Sequence, residues 1–314
     1  MLKKNDISIA KTSLKNEQHF VSALNKIYYD VESSVYDDLH IEVVVGDLDW
    51  WKKAGKTYLI HGNDTPQRIV LDVGCGTGFV GTCISSNLNK KDLLIGCDIS
   101  TGMLSKARNK EKLMDKCTPV FINCVAHQLP ISDSCIDLVT INSVLHHLAN
   151  VKATLSEIDR VLKPGGIVLI NREPNKAFFQ SLPIRLLASL YKLIGGGIDV
   201  TDDIEMKVNN KLLEINEFAS PLNKYEIQRY VEYHSPVEQS RVWINKEKGF
   251  YPSELTTETM KNYSILEQEE FTTFFVRPIF EKLPWLGRII SYTWCKITLH
   301  GNLFRLVLKK PELD

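Results

Sequence analysis

An apolar run, Ile69-Val70-Leu71-Asp72-Val73, passes straight into Gly74-Cys75-Gly76-Thr77-Gly78, three glycines at alternate positions. Glycine has no Cβ, so the run can make a tight strand-to-helix turn and let a ligand lie against bare peptide. The N–H groups that open the following helix attract a carboxylate or phosphate. These residues predict a nucleotide-type pocket at the carboxyl end of a first parallel strand. About 20 residues on, Asp98 closes a second apolar run, where a carboxylate can accept both hydroxyls of a ribose. Further along, His146 and His147 follow another apolar run. Imidazoles there have a pKa suited to proton abstraction, though a histidine pair also commonly packs to hold a turn.

Gly76-Thr77-Gly78-Phe79-Val80-Gly81 also satisfies G-x-G-x-x-G, the dinucleotide fingerprint. The register speaks against that reading, because the first glycine pair makes the tight turn. Asp72, just inside it, faces a pyrophosphate poorly and suits a ligand that carries an ammonium group. Residues 71–78 resemble motif I of the class I S-adenosylmethionine-dependent methyltransferases. The later segments keep that family's order. They are Asp98 after the second strand, residues 120–130 as third strand and adenine turn, residues 134–148 as fourth strand and turn, and Lys163-Pro164-Gly165-Gly166 before a fifth strand at 167–170. The resemblance covers about residues 30–174. It implies S-adenosyl-L-methionine as methyl donor, with Asp72, Gly74, Cys75, Gly76, Asp98, Ile99, Met103, Ala126, His127 and Asn142 as its contacts. It also implies a closing N-terminal helix with Tyr36 at its inner end, where an aromatic face attracts a sulfonium. His147 is the candidate catalytic residue, and His234 is a further histidine to consider. Where relatives often place an Asp before Ala126, this chain has Val125, so His127, Gln128 or a backbone carbonyl takes the adenine contact. Asn142-Ser143-Val144-Leu145 replaces the Asn-Pro-Pro-Tyr-type turn that grips planar amines, which leaves oxygen, carbon or other nitrogen acceptors.

The elements that must position these residues follow from the same pattern. The expected fold is α/β, a Rossmann-like, seven-stranded and mostly parallel sheet with helices on both faces, an antiparallel last strand and an inserted, largely helical cap. Residues 1–60 read as an N-terminal helical lid, with a helix over 18–36. Residues 61–174 form the donor-binding core. Residues 175–300 form a cap with helices near 177–194, 226–233 and 275–299 and a sixth strand at 263–268. Residues 301–314 hold the final strand and tail. The apolar stripes at 177–194 and 275–299 read as core, or as a greasy opening for a lipid-like acceptor or a peripheral membrane contact.

The 314 residues can bury a substantial core. Lys plus Arg and Asp plus Glu both number 38, so no net field draws the chain to a polyanion, which speaks against nucleic acid as partner. Lys3, Lys4, Lys11 and Lys15 make the N-terminal arm locally basic, in the manner of a solvated end. The seven cysteines (Cys75, Cys83, Cys97, Cys117, Cys124, Cys135 and Cys295) show no C-x-x-C pairing and mostly fall in apolar runs. With no apolar leader and no run of about 18 apolar residues, the expectation is a cytoplasmic enzyme. The expected function is methyl transfer to an O, C or N atom of a small, apolar or lipid-like molecule. An RNA- or protein-directed methyltransferase, a nonenzymatic donor-binding protein and an NAD-dependent oxidoreductase stand as alternatives. The oligomeric state has no signal in the sequence.

Overall fold

Short apolar runs bounded by glycine and proline fit strands covered on both faces. The computed structural model describes residues 17–59, 66–182, 200–215, 221–238, 243–245, 247–257, 259–272, 293, 296–297 and 299–312. Its strands are β1 (Ile69–Val73), β2 (Leu93–Asp98), β3 (Thr118–Asn123), β4 (Ile136–Asn142), β5 (Leu162–Pro174), β6 (Val237–Glu238), β7 (Trp243–Ile244), β8 (Ser264–Phe271) and β9 (Leu303–Lys309). Its helices are α1 (Glu17–Glu32), α2 (Tyr36–Leu39), α3 (Ile41–Tyr58), α4 (Phe79–Ile84), α5 (Thr101–Asn109), α6 (Val151–Val161), α7 (Lys176–Gln180), α8 (Asp202–Glu214), α9 (Lys224–Val231) and α10 (Pro252–Thr257).

Seven strands form one sheet in the order β3-β2-β1-β4-β5-β9-β8. Its first five strands are parallel, and β9 runs antiparallel to both of its neighbours. The chain steps outward from β1 to β3, then restarts on the other side at β4. That reversal opens a crevice beyond the carboxyl ends of β1 and β4, the usual place for a ligand in an open α/β sheet.

Alternation along the strands divides the core in two. Leu71, Val73, Ile95, Val139, Ile141 and Ile170 pack with Leu155, Ile158 and Val161 of α6 on one face. Val70, Leu94, Leu138, Leu169 and Val307 pack with Trp51 and Ala54 of α3 and Val80 of α4 on the other. A third cluster lies apart from the sheet. In it Phe20, Val21, Leu24 and Ile27 of α1 meet Ile204, Val208 and Leu212 of α8 and Ile227 and Val231 of α9. One amphipathic helix from the start of the chain is thus buried by two from the long insertion.

Several boundaries differ from the sequence expectation. The helix expected over 18–36 stops at Glu32 and resumes as α2, because the chain turns at 33–35. Helix α3 was not singled out, since Gly46, Gly55 and a mixed charge pattern hide the face that Trp51 and Ala54 bury. Strand β5 begins at Leu162, which pairs with Ile136; pairing resumes with Leu138 opposite Ile167, so residues 163–166 are extra on the β5 side. Strand β5 also runs on to Pro174 past a bulge between Asn171 and Glu173, at Arg172 with φ +65°. The sixth strand extends to Phe271. Residues 183–194 of the first apolar stripe, nearly all of 275–299, the four N-terminal lysines and Cys295 lie outside the described residues. Among the described residues no helix is long and apolar enough to cross a membrane.

Candidate functional site

The glycine turn needs its glycines for two different reasons. Gly74, Gly76 and Gly78 have φ of +64°, +53° and +83°, the left-handed region that L side chains avoid. A Cβ on Gly74 would lie 2.5 Å from Cγ2 of Val144, so packing excludes it as well. A Cβ on Gly76 would meet nothing within 4 Å. Gly76 therefore presents bare backbone to open space at the mouth of the turn.

Asp98 stands across from it at the end of β2. Its Oδ2 accepts from the Gly76 N–H at 2.9 Å and its Oδ1 from the Ser100 N–H at 2.8 Å. Burial pushes its carboxyl up to about 6, against these two hydrogen bonds. The Ser100 hydroxyl accepts from the N–H of Met103 at 3.1 Å and so caps α5. It also donates to Asp30 Oδ1 at 2.7 Å, and the same oxygen accepts from the Gly102 N–H at 2.9 Å. Asp30 thereby ties α1 to the first turn of α5. Asp37 makes a second tie, because its carboxylate accepts from the Thr77 hydroxyl at 2.6 Å and from Lys110 Nζ at 2.7 Å.

Between these groups lies an open cleft. Tyr36, Gly74, Gly76, Asp98, Ile99, Met103, Ala126, His127, Asn142 and His147 line it together, joined by Gln18, Ser22, Asn25 and Tyr29 from α1. Two expected donor contacts do not line it. Asp72 is 2% exposed, and its Oδ1 accepts from the Thr140 hydroxyl at 2.7 Å. It alternates with Leu71 and Val73, which puts it on the Trp51 face, and burial raises its carboxyl to about 7. The ammonium role expected of Asp72 has no geometry behind it. Cys75 is buried beside β2, its N–H donating to the Cys97 carbonyl at 2.9 Å, and burial pushes its thiol well up.

The two histidines have different surroundings. The Glu173 carboxylate accepts from the backbone N–H groups of Val144, Leu145 and His146 at 2.8, 2.9 and 3.2 Å, and meets His146 Nδ1 at 2.9 Å. This completely buried acid gathers the whole turn after β4. The β5 bulge breaks the strand's alternation here, and Arg172, just before Glu173, pairs with the buried Asp47 at 3.1 Å. His147 sits in the cleft wall. Its Nδ1 lies 2.8 Å from the Val231 carbonyl and the Tyr29 hydroxyl lies 3.2 Å from its Nε2. Burial and then His146 hold His147 below its ordinary pKa, while Glu173 overcomes burial to hold His146 above it. His234 does not line the cleft. It packs on Phe250, and burial lowers it to about 4. Glu173 and the contact of Tyr29 with His147 were not found from the sequence. An acid two residues past an asparagine in a strand, or a tyrosine within an amphipathic helix, has no spacing that distinguishes it.

The strand order and the glycine turn define a Rossmann-like methyltransferase fold. The family described as "Methyltransferase domain" matches residues 71–170. A demethylmenaquinone methyltransferase of Symbiobacterium thermophilum is 33% identical over 141 residues, covering 44% of this chain and 54% of the relative. A ubiquinone/menaquinone biosynthesis C-methyltransferase of Coxiella burnetii is 30% identical over 178 residues, covering 54% of this chain and 69% of the relative. The structure of a complex between the Haloferax volcanii Trm112 methyltransferase activator and a methyltransferase matches 90% of this chain and 98% of that chain at 15% identity, with a TM-score of 0.50, a likeness of fold. The chain belongs to the class I S-adenosylmethionine-dependent methyltransferases, in a quinone-biosynthesis-like branch. Against the Symbiobacterium relative it spans little more than half the length, 54%.

Proposed function

We propose that the protein transfers a methyl group from S-adenosylmethionine to a small, largely apolar acceptor. One observation carries this reading: Asp98 and the bare backbone of Gly76 face the same cleft at the switch point of the sheet. The residues present fit the donor. Asp98 takes the ribose hydroxyls, Ala126 and His127 flank the adenine, and Gly74 and Gly76 admit the amino-acid end against peptide. S-adenosylmethionine brings an already activated methyl, so the protein's work is alignment, exclusion of water and, where needed, proton removal. Tyr36 closes the cleft from the α1–α2 side with an aromatic face suited to a sulfonium.

His147 and Tyr29 stand at the acceptor end. Because the Val231 carbonyl accepts from Nδ1, the proton of a neutral His147 resides there and Nε2 keeps its lone pair. The lowered pKa keeps that lone pair available at neutral pH, as a general base requires. Asn25, also in the cleft wall, holds the His147 carbonyl through its amide nitrogen at 3.3 Å. The quinone-biosynthesis relatives support an aromatic acceptor with an apolar tail. The test is incubation of the full chain with isotopically labelled donor and prenylated hydroxy-aromatic compounds, read by mass spectrometry. Labelled methyl in an organic product supports the reading. Label that appears only in added RNA or protein overturns it.

A further inference from the structure

We propose that His146, His147 and Glu232 form a site for one divalent metal ion of the zinc class. One donor atom from each of the three lies within 4.8 Å of the others. Metal-binding histidines characteristically give their second ring nitrogen to a carboxylate or backbone carbonyl, which fixes the ring and leaves the other lone pair for the ion. Both histidines have that arrangement. His146 Nδ1 lies 2.9 Å from the Glu173 carboxylate, and His147 Nδ1 lies 2.8 Å from the Val231 carbonyl. Each ring then has the Nε2 lone pair to offer, that of His147 in exchange for the Tyr29 hydroxyl 3.2 Å away.

The spacing fits an ion as well. His146 Nε2 and Glu232 Oε2 stand 3.6 Å apart, long for a direct hydrogen bond between them. Two donors at about 2.0–2.2 Å from a tetrahedral ion stand roughly 3.4 Å from each other. Glu173 is held by three backbone N–H groups, so the ring it orients does not swing away. Two imidazoles and one carboxylate are a donor set suited to zinc, with a fourth position left for an exogenous oxygen. His147 belongs to the cleft wall, which puts that position beside the acceptor end. A bound ion takes the lone pair assigned above to proton removal, and its charge then lowers the pKa of an acceptor hydroxyl in place of the imidazole. That catalytic consequence rests on the methyl-transfer reading; ion binding does not.

The experiment is a titration of chelator-treated, full-length protein with Zn²⁺ by calorimetry, without any methyl donor, and with Co²⁺ by visible absorption. Wild type should take up about one equivalent of Zn²⁺, and Co²⁺ should give the d–d bands of a four-coordinate nitrogen–oxygen site. Glu232→Gln, which keeps the size of a partly exposed side chain, should weaken Zn²⁺ at least tenfold with an unchanged circular dichroism spectrum. Glu173→Gln should weaken it about 10–100-fold by releasing the His146 ring. Failure of wild type to bind overturns the site. So does Zn²⁺ affinity that Glu232→Gln leaves unaltered, or sulfur-to-Co²⁺ charge transfer, which would place the ion on the cysteines. Binding of S-adenosylhomocysteine, measured separately, distinguishes failure of this site from failure of the donor pocket.

Discussion

At the residue scale, the proposed donor site depends on the two oxygens of Asp98. Replacing Asp98 by Ala removes a charged ribose contact and should cost on the order of 1–3 kcal/mol, roughly ten- to a hundredfold in S-adenosylhomocysteine affinity by calorimetry. The same carboxyl sets a pH dependence. Folding raises it to about 6 from an ordinary value near 3.9, and the ribose is held by the charged form. Affinity should therefore fall as the pH drops through 6, and a flat profile between pH 5 and 8 would contradict this. The stability of the unliganded protein moves in the opposite sense. The contribution of a raised acid is fully present below its unfolded pKa and is lost as the pH rises through 6. The two glycines differ in what a side chain would cost. Gly74→Ala meets both a left-handed φ and the Val144 clash and should lower the denaturation midpoint more, whereas Gly76→Arg meets the strain of its φ of +53° alone and should abolish binding. Equal melting temperatures for the two variants would contradict that difference.

At the element scale, the Asp30 carboxylate joins α1 to the start of α5 through the Ser100 hydroxyl and the Gly102 N–H. Those two hydrogen bonds and Lys26 hold the carboxyl below its usual range, against the pull of partial burial. Asp30→Ala should cost about 0.5–2 kcal/mol, the range for lost capping interactions, and should weaken donor binding by freeing α1. Hydrogen exchange confined to α1 is the readout, and unaltered protection there would refute the tie. The glycine turn and the place of Asp98 at the end of β2 were legible in the sequence because each is set by local backbone demands. Asp72 was misplaced because strand alternation, not proximity to the turn, decides which face a side chain occupies. Glu173 was missed for a related reason, since a one-residue bulge at Arg172 breaks that alternation and carries no signature of its own.

At the scale of the whole molecule, the sheet order was readable because five strand–helix units follow one another in family order. The helical layer was less so. It forms only when α1, from the first 32 residues, meets α8 and α9 from the insertion, a pairing no local pattern announces. Leu24 is fully buried in that layer, and Leu24→Ala should cost about 2–5 kcal/mol. If α1 closes the cleft, the loss appears both as a lower denaturant midpoint and as weaker donor binding. Loss of stability alone would make the layer scaffold and not closure. The most direct measurement of the central claim is calorimetric titration of the full-length protein with S-adenosylhomocysteine, beside Asp98→Ala and with NADH as comparator. The proposed function predicts saturable binding of S-adenosylhomocysteine by wild type, weakened ten- to a hundredfold in the variant, and no heat from NADH. Tight binding of NADH, or equal S-adenosylhomocysteine affinity in both proteins, would contradict it.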